Sequence, residues 1–250
     1  MLLPILALIA TLTWDEFING LTHPSVWPAL KLSLLTTTTS LLAVVALGTP
    51  LAWLISRRRG RLVQLTETLV RLPAVLPPAV AGVALLLAFG RKGLLGAWLA
   101  EIGWPIPFTT SAVVMAEIFV SAPFFLQAAV SSFRAIDEDQ LTVARTLGSS
   151  PAGVFFRVAV PLAMPGLIAG AAMSWARALG EFGATLMFAG NLEGKTQTLT
   201  LAVYTTFESD MGAAQALSLV LVVVAFTLLY ALTSRVGARA ERSGGGVALA

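Results

Sequence analysis

The stretch Asp137–Gly166, DEDQLTVARTLGSSPAGVFFRVAVPLAMPG, decides how the rest of the chain is read. It opens on Asp137, Glu138 and Asp139, carries Arg145 and Arg157, and closes on Pro161 and Pro165 ahead of an apolar run. Leu141, Ala144, Arg145 and Gly148 fall at helical spacing, and Gly148 supplies the flexible stop of a helix C-terminus. Ser149-Ser150-Pro151 then restarts a helix with capping hydroxyls and a proline in its first turn. The spacing predicts two short helices meeting at a glycine elbow, in a polar loop that another molecule grips. The second helix carries Phe155, Phe156 and Arg157. Adjacent large aromatics in a short polar segment either need a partner's groove or tuck against the chain's own helices, and spacing leaves both open.

Outside this island the chain is oily. Of 250 residues, 57% are hydrophobic and 12% charged, and the mean hydropathy is +0.85. A soluble domain carries roughly 25% charge, so the composition points to an all-α polytopic membrane protein built as one bundle. Cysteine is absent and His23 is the single histidine. This excludes disulfides, thiolate chemistry and cysteine-ligated metals, and leaves no metal site. Nothing pairs a nucleophile with a base, so no catalytic residue is assigned. The formal charge of +3 reflects arginines beside apolar spans and implies no nucleic-acid partner.

A spanning helix needs about 20 apolar residues. Six stretches are candidates: Leu2–Leu12, Trp27–Ser56, Leu62–Phe89, Phe108–Phe133, Leu162–Phe188 and Ala213–Thr233. The first is short, and without a basic flank or Ala-x-Ala site it reads as a helix rather than a removable signal peptide. Residues 1–27 form this helix and an external loop, 28–236 the transmembrane domain with its loop at 134–160, and 237–250 a disordered cytoplasmic tail. Arg57, Arg58, Arg59, Arg61, Arg71, Arg134, Arg145, Arg157, Arg235, Arg239 and Arg242 gather on one side, and Lys31, Arg91, Lys92 and Lys195 on the other. The positive-inside rule places the elbow and, with six crossings, both termini in the cytoplasm.

Three spans carry further signals. Thr36–Thr39 can bond back to their own helix carbonyls and offer a packing face, and Gly48 and Pro50 can kink that helix. The third span is interrupted by Pro73, Pro77, Pro78 and Gly82. Broken helices are tolerated in membranes where neighbours or a water-lined cavity cover the freed carbonyls, so this segment lines a path or fixes a permanent kink. In the fifth span Arg177 and Glu181 lie four apart, where intramembrane charges are expensive and face each other or a cavity. They form a structural ion pair, or Glu181 belongs to a gate that Gly180 and Gly183 allow to unwind.

Ala144, Gly148, Val158 and Pro161 match the spacing of the loop consensus found in the membrane subunits of ATP-driven importers. Thr142 and Val143 stand where the consensus has Glu and Ala, and Val158 and Val160 where it has Ile and Leu; the valines keep an apolar contact, while Thr142 leaves no loop glutamate there to pair with the ATPase. The Leu-Pro-Pro-x-Val-x-Gly run at 76–82 resembles permeases for tetrahedral oxyanions. Ala176–Thr185, Ala189-Gly190-Asn191 and Gly194–Thr198 are similar to the molybdate/tungstate permeases, and sulfate permeases share part of that frame. The resemblance runs from about Pro28 to Arg235 and implies the type I ABC importer permease fold.

It implies a division of labour as well. A periplasmic or surface-tethered oxyanion-binding protein docks on a homodimer of the permease near Asn191 and Lys195, and an ABC ATPase dimer grips the cytoplasmic loops. Ala144, Arg145, Gly148, Pro151, Phe155 and Phe156 then form the coupling helices. Arg177, Gly180, Glu181, Gly183 and Thr185 lie on the path or gate, and Pro77, Pro78 and Gly82 break the helix. The chain itself binds no cofactor, with ATP and magnesium on the ATPase. Gly194-Lys195-Thr196 ends like a phosphate loop, but Ala189 occupies the position of the required earlier glycine. A thin bundle with broken spans needs a twofold partner to wall an oxyanion path. The alternatives are a sulfate or thiosulfate permease of the same class, or an ion-coupled secondary transporter, which would show inverted repeats absent from this sequence.

Overall fold

A computed structural model describes residues 3–244. The helices are α1 (Leu3–Ala10), α2 (Trp14–Leu21), α3 (Val26–Ser56), α4 (Arg61–Val75), α5 (Pro78–Phe89), α6 (Gly96–Glu101) and α7 (Thr110–Arg134). They continue with α8 (Glu138–Thr146), α9 (Pro151–Val154), a π-helical turn at Phe155–Ala159, α10 (Val160–Leu179), α11 (Gly183–Ala189), α12 (Leu199–Phe207) and α13 (Met211–Gly244). Among the described residues there is no strand.

Among the described residues, four helical stretches are long and apolar enough to cross a membrane: Val26–Ser56, Thr110–Arg134, Pro151–Leu179 and Met211–Leu232. The pair α4 and α5, bent by 115° at its break, counts as a fifth if it is one span. The sequence reading of six is therefore corrected to four or five. α1 has eight residues and is about 12 Å long, against an apolar bilayer core of about 30 Å. The fifth span also differs from its reading as Leu162–Phe188. It starts earlier, runs unbroken through Pro161 and Pro165, and stops at Leu179. Likewise α3 is continuous through Pro50, and α13 extends through 237–244, where a disordered tail was expected. Residues 245–250 and the side chains of Arg235, Arg239 and Arg242, also part of that reading, lie outside the described residues.

The chain divides into two units; four of the five boundaries fall inside α3, α7, α10 and α13, and the fifth at the end of α4. Unit 1 comprises Met1–Ser40, Leu76–Val120 and Arg177–Leu228. One of its cores gathers Ala81 and Leu85 of α5, Leu99 of α6, Val113 and Val120 of α7, and Phe188 of α11. A second joins Val26 and Ala29 of α3 to Leu199 and Ala202 of α12 and Leu217 of α13. α2 starts with a capping box, Thr13 and Glu16 bonding reciprocally, and the hydroxyl and amide of Thr13 hold the Glu16 carboxyl below its ordinary pKa. Gly20 at its far end lets α2 rest on Ala213 and Ala216 of α13.

Unit 2 comprises Leu41–Val75, Ser121–Ala176 and Leu229–Ala250. Its closest packing is between α10 and α7. Gly166 and Gly170, four apart on α10, lie over Ser132 and Ala128, four apart on α7. A Cβ at Gly170 would fall 2.7 Å from Ala128 Cβ. This is the small-residue contact that membrane helices use when dispersion must replace the hydrophobic effect. Gly48 makes similar room, since its Cβ position lies 2.9 Å from the Phe125 ring.

In unit 1 α5 also lies close against α11. A Cβ at Gly82 would lie 2.6 Å from Met187 Cβ and 2.9 Å from the Ala184 carbonyl, and one at Gly183 would lie 2.7 Å from Pro78 Cβ. Backbone cannot retreat as a side-chain tip can, so overpacking here costs about 1–3 kcal/mol. Gly82→Val is expected to lower thermal stability in detergent by that amount, and an unchanged melting temperature would contradict the α5–α11 packing.

Candidate functional site

In unit 2 the polar island folds into the elbow that its residues predict. Asp137 caps α8 by accepting from Asp139 N at 3.0 Å, and Leu141 is fully buried beneath the helix. The chain then reverses at Gly148, where φ is +87°, a left-handed conformation that glycine adopts without Cβ strain. The Ser149 amide closes the turn on the Ala144 carbonyl at 3.1 Å. Ser150 caps α9 through Gly153 N at 3.1 Å, with Pro151 at the first helical position. The second element is not a separate short helix as expected. α9, the π-helical turn and α10 run on as one stretch, Pro151–Leu179.

The two phenylalanines part company. Phe155 stacks at 5.7 Å from the ring of Trp53 and 6.2 Å from that of Phe133, which is fully buried. Phe156 lies 4.7 Å from Phe155 and is 67% exposed. One ring therefore tucks inward while the other is presented outward, beside an open hollow of about 720 Å³ lined by Leu147, Gly148, Ser149, Ala152 and Arg157. Arg57 locks the base of the cluster. Its guanidinium lies 4.6 Å over Trp53, pairs with Glu138 at 2.6 Å and donates to the Phe133 carbonyl. Ala144 is half-buried, and Arg145, Gly148 and Pro151 are exposed.

In unit 1 the charged pair sits at the end of a helix rather than within one. α10 stops at Leu179, and Glu181 lies in the break before α11. Its side chain is 1% exposed and accepts from Arg177 Nη1 at 2.8 Å. The other carboxylate oxygen accepts from Ala184 N at 2.7 Å, capping α11. Its amide donates to the Ala178 carbonyl at 3.0 Å, and its own carbonyl accepts from Thr200 Oγ1 at 2.8 Å. One residue thus fastens α10, α11 and the start of α12. Gly180 lies in the break, and Gly183 opens α11 against Pro78. Thr185 is fully buried with its hydroxyl unpartnered.

Pro77 and Pro78 do break the third span, as the N-cap and first residue of α5. Gly82 does not. It lies inside α5 and serves close packing, because it faces α11. Asn191 is half-buried, with its amide nitrogen tied to Thr205 Oγ1 at 2.7 Å. Lys195 is exposed, and its carbonyl accepts from Thr110 Oγ1 at 2.9 Å.

The sequence reading passed over Glu117. It lies on α7, is 1% exposed, and accepts from Thr36 Oγ1 of α3 at 2.8 Å, while its second oxygen has no partner. Thr36 belongs to a buried stripe with Ser33, Thr37 and Ser40, at helical spacing. Most of these hydroxyls also bond back to α3 carbonyls, as Thr37 Oγ1 does to Ser33 O at 2.6 Å. Ser33 differs, taking the Leu199 amide at 2.7 Å and so capping α12. A lone acid inside an apolar span was the available signal.

Comparison with known proteins adds the family. The sequence model of the family described as binding-protein-dependent transport system inner membrane component matches residues 45–242. The chain is 45% identical over 233 residues to the molybdenum transport system permease protein ModB of Mycobacterium tuberculosis, covering 93% of this chain and 88% of the relative. It is 35% identical to ModB of Escherichia coli K12 (90% and 99% covered). Identity is 33% to the sulfate transport system permease protein CysT of the same organism (96% and 89% covered). Among solved structures, a bacterial ABC transporter involved in alginate import superposes with a TM-score of 0.74 at 15% identity, over 93% of this chain and 88% of that one. The MetNI methionine ABC transporter in an inward-facing conformation gives 0.67 at 18%, over 86% and 95%. At those identities the structures share the fold alone. The chain is a multi-pass membrane protein that belongs to the family of binding-protein-dependent transport system inner membrane components.

Proposed function

We propose that this chain is the permease subunit of an ATP-driven importer for molybdate or tungstate, working as a homodimer with an ABC ATPase dimer and an external oxyanion-binding protein. The observation that carries the cargo is the 45% identity to a molybdenum permease across 93% of the chain. A sulfate permease at 33% identity supports a second reading in which the same machine moves sulfate or thiosulfate. Family membership takes the place of the ion-coupled alternative. The chain binds no cofactor on this reading, and ATP and magnesium act on the ATPase.

The elbow faces the cytoplasm, because arginines crowd its side of the spans. Five crossings, counted from α3, then put α2 on the outer side with the start of α13, on which Gly20 rests. The placement of both termini in the cytoplasm needed an even count and is not retained. Asn191 and Lys195 lie outward, Lys195 free to meet the binding protein and Asn191 bracing the loop. The ATPase grips Ala144, Arg145, Gly148, Pro151 and the exposed Phe156. Phe155 carries the displacement to Trp53 and Phe133, on the spans α3 and α7. Such a rigid aromatic contact transmits a push that a flexible loop would absorb. The path runs beside α5 and α11, where Thr185 offers a hydroxyl when α11 moves.

Reconstitution with the ATPase and the binding protein in liposomes tests the cargo. ATP hydrolysis is expected to rise when the binding protein carries molybdate or tungstate. A rise with sulfate alone would transfer the reading to the second cargo, and no rise with any oxyanion would refute the importer. The elbow has its own test in Gly148→Trp. No atom lies within 4 Å of a Cβ at this position, so the cost is the left-handed backbone, about 1–2 kcal/mol. The variant is expected to reach the membrane folded and to lose stimulation of ATP hydrolysis, and full stimulation would contradict the coupling role.

A further inference from the structure

Glu117 is a buried acid that the coupling and the break leave unused. Among the described residues the buried acids are Glu117 and Glu181, and their surroundings differ. Glu181 holds Arg177 with one oxygen and the Ala184 amide with the other. Glu117 enters no ion pair among the described residues. One of its oxygens accepts from Thr36 Oγ1 at 2.8 Å, and Oε2 has no partner. An ionised carboxylate buried with a single hydrogen bond and no cation is strongly destabilising, and a group in that position neutralises instead.

The neighbours favour the neutral form as well. Ser40, one turn along α3 from Thr36, lies beside the Glu117 carboxyl, yet its single hydrogen goes to the Thr37 carbonyl at 3.0 Å. A hydroxyl so committed offers a lone pair, which an acid O–H can use and a carboxylate cannot. Glu181 also acts on Glu117 through space, and two carboxylates sharing a buried site oppose each other's charge. Arg177, the cation that could answer a second carboxylate, is engaged by Glu181 at 2.8 Å. α5 and α11, which pack on α7, carry no titratable side chain. Within unit 1 α3 carries Lys31 alone, and that lysine is exposed.

We propose that Glu117 carries a proton in the folded protein and sets the charge beside the oxyanion path, leaving the surroundings of the Arg177 and Glu181 pair without net negative charge. The proposal rests on the permease reading above and deepens it. Molybdate and tungstate are dianions, and a lone carboxylate on α7, which packs against α11, would repel them across a medium of low dielectric constant. With Glu117 neutral, Arg177 and Glu181 cancel, and these three groups present no like charge to the cargo.

Infrared spectra of the full chain in liposomes at neutral pH test the proton, because a carboxylic acid and a carboxylate absorb at separate frequencies. The difference between the parent and Glu117→Gln is expected to show the loss of one protonated-acid band. Glu117→Asp, which keeps an acid, is expected to shift that band, so the assignment survives a Gln variant that does not fold. A difference spectrum in which a carboxylate band is lost instead, or an acid band that neither substitution moves, overturns the proposal. Assembled with the ATPase and the binding protein, folded Glu117→Gln is expected to keep the parent's stimulation of ATP hydrolysis by molybdate, and its loss would overturn the neutral role. A parent that shows the acid band but no stimulation by any oxyanion would instead strike the permease reading and leave the proton on Glu117 standing.

Discussion

A helix that stops inside a packed bundle must hand its loose amides and carbonyls to something other than water, and in this chain the buried Glu181 takes that task. α10 ends two residues before it and α11 begins two residues after it. Its carboxylate takes the Arg177 guanidinium with one oxygen and the Ala184 amide with the other. Its backbone joins Ala178 and Thr200. A neutral residue there would leave Arg177 without its partner and the first turn of α11 without a cap. The ion pair is real, and its purpose is to hold a break in place rather than to stiffen a continuous helix.

The remainder of unit 1 follows from that break. With α11 fixed, its first turn lies close against Pro78, and Ala184 and Met187 pack on Gly82, so α5 and α11 approach at backbone distance. Phe188 then enters the core with Leu85, Leu99 and Val113. The loop beyond it closes through Thr196 Oγ1, which accepts the Leu192 amide at 2.9 Å. Unit 2 rests on a different device, the Gly166 and Gly170 contact with α7, and adds an aromatic cluster at the elbow. Tight helix contacts make each unit stiff, and on the proposed coupling that stiffness carries a push at Phe156 to Trp53.

The elbow was legible because its signals are local. A cap, a glycine stop and a proline at the first helical position act within one turn, and no distant residue can override them. The break at Pro77-Pro78 was legible for the same reason. What depended on tertiary partners was not. Spacing could not divide Phe155 from Phe156, since the division is made by Trp53 and Phe133, far away in sequence. Gly82 looked like a helix breaker because an isolated glycine carries no record of what packs against it. The Gly166 and Gly170 pair drew no notice beside Pro165, and the helix passes through that proline undisturbed. Glu117 was lost among apolar neighbours. Span limits failed where hydropathy continued past a helix end, as it does from Leu179 into α11.

Hydrogen–deuterium exchange on Glu181→Leu, reconstituted in lipid, tests the central claim most directly. Breaking a buried ion pair from one side costs about 3–5 kcal/mol, and the account confines that loss to the break. Amides of Ala184–Ala189 should exchange faster than in the parent chain, with α8 and α9 unchanged. Unaltered exchange in α11 would contradict the claim that Glu181 holds it.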